Sequence, residues 1–153
     1  MKLHVELIST GLYTGYLPGA PGTWGSWSAG AAFFILASMV PAYSASVALL
    51  GAVVLFFLGL WTAGEAALQS KRKDPSFVVI DEWAGQFLTY IFIAPDLINL
   101  LLGFILFRFF DIIKIWPIHR FEEFSGSLGI MLDDIAAGIY AAITLWLINF
   151  VFR

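Results

Sequence analysis

The stretch IAAGIYAAITLWLINFVF, residues 135–152, contains no charged side chain and follows two adjacent aspartates, Asp133 and Asp134. As an α-helix rising about 1.5 Å per residue, a run of this length crosses most of the roughly 30 Å hydrocarbon core of a bilayer. A second run, residues 7–64, also lacks Asp, Glu, Lys, Arg and His. We therefore expect helices that span a membrane, with ionisable groups kept near the helix ends.

The composition supports this expectation for the whole chain. Of its 153 residues, 60 % are hydrophobic and 12 % are charged, which is more apolar surface than one soluble domain can bury. Proline, glycine and charged residues divide the chain into hydrophobic segments near 25–40, 45–68, 77–94, 97–113 and 130–152. We predict an all-α, polytopic membrane helix bundle of about five hydrophobic helices, forming a single domain over residues 1–153.

The loops between these segments differ in charge. The Lys-Arg-Lys sequence at 71–73 and the region of Lys114 and Arg120 are basic, whereas the loops at Pro41 and Pro95 carry almost no charge. Basic loops face the cytoplasm in membrane proteins. Five crossings then place the N-terminus in the cytoplasm and the C-terminus outside, with nearly all ionisable side chains on the cytoplasmic side.

This topology brings carboxylates from four predicted helices to the cytoplasmic end of the bundle: Glu65, Asp81, Glu82, Asp111, Asp133 and Asp134. A purely structural explanation exists for some of them. The pairs at 81–82 and 133–134 lie within the first turns of predicted helices, where negative charge complements the helix dipole. Asp111 has Arg108 and Lys114 three residues to either side, which favours local ion pairs. Neither explanation covers Glu65.

A metal site is the alternative explanation of the acidic cluster. The carboxylates outnumber the nearby cations Arg108 and Lys114, so protons or a metal must compensate them. The chain has no cysteine, which excludes a disulfide, a thiolate nucleophile and a Cys-ligated metal. Carboxylate oxygens favour Mg²⁺ or Mn²⁺ over zinc.

The sequence PGTWGS, residues 21–26, predicts a turn followed by a capped helix start at the same end of the bundle. Free backbone N–H groups at a helix N-terminus bind phosphate. Thr23 and Ser26 are therefore candidate phosphate-binding residues, together with Arg108 and Lys114. An ordinary turn with an N-cap is the simpler alternative.

Four segments together resemble the phosphatidylglycerophosphatase A family. They are PGTWGS at 21–26, DEWAG at 81–85, FRFFDIIK at 107–114 with WPI at 116–118, and GIMLDD at 129–134 with AG at 137–138. The chain departs from the family pattern at Ile115, where the family has proline, and at Ser127, where it has glycine. Both departures fall in the 114–129 loop.

The resemblance implies a Mg²⁺-dependent phosphatase of the bacterial cytoplasmic (inner) membrane that converts phosphatidylglycerophosphate to phosphatidylglycerol and phosphate. In that reaction we expect Asp81, Glu82, Asp133 and Asp134, with Glu65, to supply metal ligands. Asp111, Asp134 and Lys114 are the expected catalytic residues, with Asp111 joining the ligands or orienting the attacking water. Direct attack by water and a phospho-Asp intermediate are the two alternative routes. We expect a lipid substrate and no nucleic-acid partner.

Two other classes of function fit the same composition. Clustered intramembrane acids also occur in small transporters and channels for protons or divalent cations, although carboxylates confined to one face argue against a transport path. A lipid-binding assembly subunit without catalysis is the third possibility.

Overall fold

The computed structural model describes residues 2–121 and 124–152, and within them the chain is helical without any strand. The α-helices are α1 (Leu3–Ser9), α2 (Pro21–Met39), α3 (Ser44–Ser70), α4 (Ile80–Thr89), α5 (Leu97–Ile113), α6 (Ile118–Phe121) and α7 (Ser127–Phe152). Short 3₁₀ turns occupy Thr14–Tyr16 and Pro41–Tyr43. The predicted all-α class is therefore confirmed for these residues.

Within residues 2–121 and 124–152, two helical stretches are long and apolar enough to cross a membrane by length and composition. They are Pro41–Ser70, with a mean hydropathy of 2.2, and Ser127–Phe152, with a mean hydropathy of 2.0. Large hydrophobic side chains such as Phe57, Ile105 and Phe150 are exposed on the outer surface of the bundle. An exposed apolar surface of this extent is typical of protein that contacts lipid.

Helix α4 is shorter than the predicted segment 77–94. It has 10 residues, which gives about 15 Å at the rise of an α-helix. Before it, the Val79 N–H donates to the Ser9 carbonyl oxygen over 2.9 Å. After it, the buried Tyr90 hydroxyl donates to the Leu100 carbonyl oxygen over 2.9 Å. The Val79 N–H is therefore lost to the helical pattern before α4, and at the other end the Tyr90 N–H donates only three residues back, to the Phe87 carbonyl oxygen, where the helix ends.

The short helix α4 lies at the centre of the bundle, in contact with α2, α3 and α7. Its closest approach is to α7, at Gly85 and Gly138. A Cβ atom at Gly138 would meet the Gly85 carbonyl oxygen, and a Cβ at Gly85 would meet that of Asp134. The two backbones are therefore in direct contact, which requires glycine at both positions.

The ends of five helices meet at one end of the bundle, which we call the acid end: the N-termini of α2, α4 and α7 and the C-termini of α3 and α5. At the opposite end, the Asn149 side-chain amide donates to Asn99 Oδ1 over 2.8 Å and joins α7 to α5. Asp96 caps α5 there by accepting the Asn99 N–H over 2.9 Å.

Candidate active site

Three carboxylates from α4 and α7 meet at the acid end. One oxygen atom from each of Asp81, Glu82 and Asp134 lies within 4.8 Å of the other two. Asp81 is 7 % exposed and Asp134 is 4 % exposed. Gly85, one turn after Asp81, lies against the backbone carbonyl of Asp134. This contact fixes the separation of α4 and α7, so the two backbones position the three carboxylates.

The helix dipole explains the acidic pair of α4 and does not explain that of α7. Asp81 and Glu82 lie in the first turn of α4, as predicted. Helix α7 begins at Ser127, so Asp133 and Asp134 lie beyond its first turn, and that turn contains no acidic residue. Dipole stabilisation falls off within one turn. The predicted placement of this second pair was wrong, and another cause must hold Asp134 inside the bundle.

The three carboxylates are incompletely partnered. Glu82 Oε2 and Asp134 Oδ1 are buried and accept no hydrogen bond from any described residue. Burying an anionic oxygen without a donor or a cation is energetically costly. Three converging carboxylate oxygens form the hard ligand set that Mg²⁺ binds. The residues present therefore fit a divalent cation.

Arg108 and Asp111, on the last turns of α5, form an ion pair beside this group. Arg108 Nη1 lies 2.6 Å from Asp111 Oδ2, which confirms the predicted pair, and the same nitrogen donates to Ser26 Oγ over 3.4 Å. Asp111 also interacts electrostatically with Glu82 and Asp134. The Arg108 guanidinium thus links α5 to α2, and the negative charge of Asp111 lies close enough to the acids of α4 and α7 to repel them.

Lys114 contacts a residue that sequence spacing did not indicate. It ends α5 in the left-handed conformation, with φ of 48°, and its Nζ atom lies 2.8 Å from Asp133 Oδ2. The position of Lys114 therefore ties the end of α5 to α7. Asp133 is engaged by this cation and lies outside the group of three carboxylates.

Helix α2 begins at Pro21, directly at the acid end. The predicted side-chain cap is absent: the N-cap is Ala20, and the Ser26 hydroxyl instead donates to the Gly22 carbonyl oxygen over 2.7 Å. The N–H groups of Gly22 and of the half-buried Thr23 lie in the first turn, where an α-helix offers no acceptor. A Cβ at Gly22 would meet Glu82 Oε1, so this turn adjoins the carboxylate group.

Glu65 is not brought to the three carboxylates. It is exposed on α3, and its Oε2 atom accepts a hydrogen bond from Gln69 Nε2 over 3.3 Å. The neighbouring Gly64 lies against Ser127 of α7, at the same end of the bundle. Glu65 therefore shares the acid end without joining the group.

A polar pocket of about 260 Å³ opens beside the carboxylates. It is lined by Lys73, Asp74, Asp81, Gly126, Gly129, Ile130 and Asp133. Sequence reasoning missed Lys73 and Asp74 as site residues because the basic run at 71–73 is already explained as a topology signal. The signal that identifies them is their position in the short loop leading into α4.

Comparison with known proteins identifies the family to which the chain is similar. The family model for Phosphatidylglycerophosphatase A matches residues 7–149. A Bacteroides thetaiotaomicron protein provisionally named phosphatidylinositol-3-phosphatase is 36 % identical, with 94 % of each chain covered.

Two relatives carry the name phosphatidylglycerophosphatase A. The Haemophilus influenzae protein is 34 % identical over 95 % of this chain and 89 % of its own length. The Escherichia coli protein is 31 % identical over 94 % of this chain and 83 % of its own. No solved structure matches the chain. Because the family match covers nearly the whole bundle, acid end included, the chain belongs to the phosphatidylglycerophosphatase A family and is a phosphatase.

Proposed function

We propose that this phosphatase requires Mg²⁺ and hydrolyses the terminal phosphate of phosphatidylglycerophosphate, giving phosphatidylglycerol and inorganic phosphate. One observation carries the proposal: Glu82 Oε2 and Asp134 Oδ1 are buried without a donor in a group of three converging carboxylates. A divalent cation satisfies these oxygens. The names of the two phosphatidylglycerophosphatase A relatives supply the substrate.

In this proposal, different residues of the acid end bind the metal and the phosphate group. Asp81, Glu82 and Asp134 would hold the metal, which would supply polarisation of the phosphoryl group and neutralisation of developing charge. Arg108 has a buried Nε atom without a hydrogen-bond acceptor among the described residues, so its guanidinium can donate to phosphate oxygens. The free N–H groups of Gly22 and Thr23 provide further donors for the same anion.

Asp111 orients the attacking water in this scheme. Its Oδ2 is held by Arg108, which fixes the carboxylate while the other oxygen can accept a hydrogen bond from water. A new P–O bond forms to the water oxygen as the bond between phosphorus and the glycerol oxygen breaks. The proton that the water loses passes through Asp111 to solvent, and the departing glycerol oxygen takes up a proton from solvent, so that phosphatidylglycerol and hydrogen phosphate are formed. Lys114 acts through its ion pair with Asp133, holding α5 and α7 in register around the site.

We also propose that the acid end faces the cytoplasm in the bacterial inner membrane. The basic run at 71–73 lies at this end, at the end of α3, and basic loops remain on the cytoplasmic side. Helix α4 and the non-helical residues 90–96 together form the third pass, and α5 returns to the acid end. Helix α7 then ends on the external side, which gives the predicted orientation with five passes.

Phosphate release from purified enzyme in detergent tests the proposed activity. EDTA should abolish turnover of phosphatidylglycerophosphate and Mg²⁺ should restore it, whereas Ca²⁺ should substitute poorly because its coordination is larger and looser. Full turnover by rigorously metal-free enzyme would contradict the metal requirement.

A second substrate tests the identity of the lipid. Phosphatidylinositol 3-phosphate, suggested by the name of the Bacteroides relative, should be hydrolysed with lower kcat/KM than phosphatidylglycerophosphate. A higher kcat/KM for phosphatidylinositol 3-phosphate would contradict the proposed substrate, but the protein would still be a lipid phosphatase.

A further inference from the structure

We infer that Gln86 of α4 positions the metal site by accepting a hydrogen bond from a water molecule in the hydration shell of the cation. The inference deepens the proposed function and rests on it. Gln86 is fully buried, and its Oε1 atom accepts no hydrogen bond from any described residue. In this arrangement Gln86 touches neither the cation nor the phosphate group, so it is a positioning residue.

The orientation of the Gln86 amide is fixed by Tyr90. Gln86 Nε2 lies 2.7 Å from the Tyr90 hydroxyl oxygen, and that hydroxyl donates its one proton to the Leu100 carbonyl oxygen over 2.9 Å. The hydroxyl can therefore only accept from Gln86, so the amide nitrogen must face it. Tyr90 is itself buried and stacks on Phe33, with ring centroids 4.6 Å apart. The Oε1 atom consequently stays on the other branch of the amide, away from Tyr90.

Glu82 and Gln86 present two unpartnered acceptors one turn apart on α4. Residues four apart lie on the same face of a helix, with Cβ atoms about 5–6 Å apart. Glu82 Oε2 and Gln86 Oε1 are both buried without a donor among the described residues. Both side chains lie along α2. A Cβ at Gly22 would meet Glu82 Oε1, and a Cβ at Gly30 would lie 3.9 Å from Gln86 Cγ. A carboxylate oxygen and an amide oxygen cannot bond to each other, so Gln86 needs a donor from elsewhere.

The donors of α2 and α5 beside this face are used elsewhere. The hydroxyl proton of Ser26, one turn after Gly22, goes to the Gly22 carbonyl oxygen over 2.7 Å. Arg108 Nη1 donates to Ser26 Oγ over 3.4 Å. The Arg108 Nε atom is unpartnered, so it is not bonded to Gln86 Oε1 either. The described residues therefore supply no donor to Gln86, although an unpaired buried acceptor is unfavourable.

The hydration shell of Mg²⁺ contains such donors. Mg²⁺ is octahedral and keeps several waters in protein sites, so a group of three carboxylates leaves positions for water. A water beside Glu82 has two protons to donate, and Gln86 Oε1 is the acceptor one helical turn away. Side chains that hold the ligands of a metal in this way typically contribute about 10–100-fold to metal affinity.

Comparison of Gln86→Met with Thr62→Val tests the inference. Both changes replace a fully buried polar side chain by an apolar one of similar size, but the Thr62 hydroxyl donates to the Leu58 carbonyl oxygen within α3. The Tm of metal-free enzyme in detergent is measured against added MgCl₂, because a ligand that binds the folded state stabilises it. We expect the apparent Kd for Mg²⁺ to rise by about tenfold or more in Gln86→Met. In Thr62→Val it should stay within about twofold of the parent.

Kinetics separate positioning of the metal from contact with the lipid. In Gln86→Met the Mg²⁺ concentration that gives half the maximal rate should rise with the Kd. At saturating Mg²⁺, the KM for phosphatidylglycerophosphate should stay within about twofold of the parent. A raised KM with unchanged Mg²⁺ affinity would overturn the inference, because Gln86 would then contact the substrate.

Equal Mg²⁺ affinities in Gln86→Met and Thr62→Val would also overturn it. If Gln86→Met does not fold, Tyr90→Phe decides, because this variant keeps Gln86 and removes the bond that orients its amide. Its Mg²⁺ affinity should fall as well, and an affinity equal to that of the parent would contradict the role of Gln86. Stabilisation of the parent by Mg²⁺ without hydrolysis of any lipid would instead refute the proposed function, while the difference between the variants would still support Gln86 as a positioning residue.

Discussion

Asp134 has the most demanding environment of the candidate ligands, because it is 4 % exposed and its Oδ1 atom has no donor. Replacing it with Asn keeps the size of the side chain and removes the charge that holds a metal. We predict that Asp134→Asn lowers kcat by about 10²-fold or more, equivalent to about 3 kcal/mol of lost transition-state stabilisation. Initial rates at saturating lipid and Mg²⁺ measure the effect.

Asp96→Asn is the matched control. Asp96 caps α5 at the opposite end of the bundle, and Asn is an equally good N-cap residue, so the cost in stability should stay below about 1 kcal/mol. Its turnover should equal that of the parent. A normal rate for Asp134→Asn, in protein whose melting matches the parent, would remove Asp134 from the site.

At the residue scale, contacts between neighbours in sequence were predictable and contacts between helices were not. The Arg108–Asp111 pair follows from a spacing of three residues on one helix. The Lys114–Asp133 pair joins α5 to α7, and the sequence gives no register for that packing. The place of Lys73 depends on how the loop before α4 folds, which hydropathy does not encode.

At the element scale, the crossing of α4 and α7 sets the geometry of the acids. Gly138→Ala places a Cβ against the Gly85 carbonyl oxygen, so the two helices must separate. We expect a loss of about 1–3 kcal/mol of stability, the usual cost of overpacking, and a fall in kcat as Asp134 moves away from Asp81. Tm and initial rate measure the two effects.

Gly64→Ala is the matched control for Gly138→Ala, because it is also a glycine-to-alanine change in a helix. A Cβ at Gly64 would make only van der Waals contact with the Ser127 side chain, at 3.4 Å. Since Ala is favoured over Gly in a helix by about 0.5–1 kcal/mol, this variant should be as stable as the parent or more so, with unchanged turnover. Equal behaviour of the two variants would show that the contact at Gly85 does not control the site.

The apolar runs predicted the existence of the main helices and misplaced several of their ends. The segment 77–94 was predicted as one hydrophobic helix, yet the helix covers Ile80–Thr89, because the Val79 N–H donates to Ser9 and the Tyr90 N–H turns back to Phe87. Helix α7 starts at Ser127, before the run of apolar residues. Hydropathy reports which residues avoid water, whereas the partners of the backbone N–H groups decide where a helix begins and ends.

For the whole molecule, the proposed orientation predicts which loops can be reached from each side of the membrane. The chain has no cysteine, so each introduced cysteine is a single label. With a membrane-impermeant maleimide added to intact cells, Tyr43→Cys, at the end opposite the acids, should react. Arg72→Cys, at the acid end, should react only after the membrane is permeabilised.

The opposite labelling pattern would show that the acid end faces the outside of the cell and would contradict the proposed orientation. A reporter fused after the C-terminus provides an independent measurement, because α7 runs from the acid end to the end where Asn149 meets Asn99. A reporter active only in the cytoplasm should therefore be silent in this fusion. Activity of that reporter would contradict the proposed five passes.

The contact between the backbones at Gly85 and Gly138 also limits which positions of the sequence can change during evolution. Main-chain atoms, which every residue shares, set the separation of α4 and α7. Side chains on the outer face of α7, such as Ile139 and Ile143, are exposed and do not support that separation. We therefore expect amino-acid substitutions to accumulate on the outer face of α7, where they adapt to the lipid composition of each host membrane. The two glycines should stay unchanged.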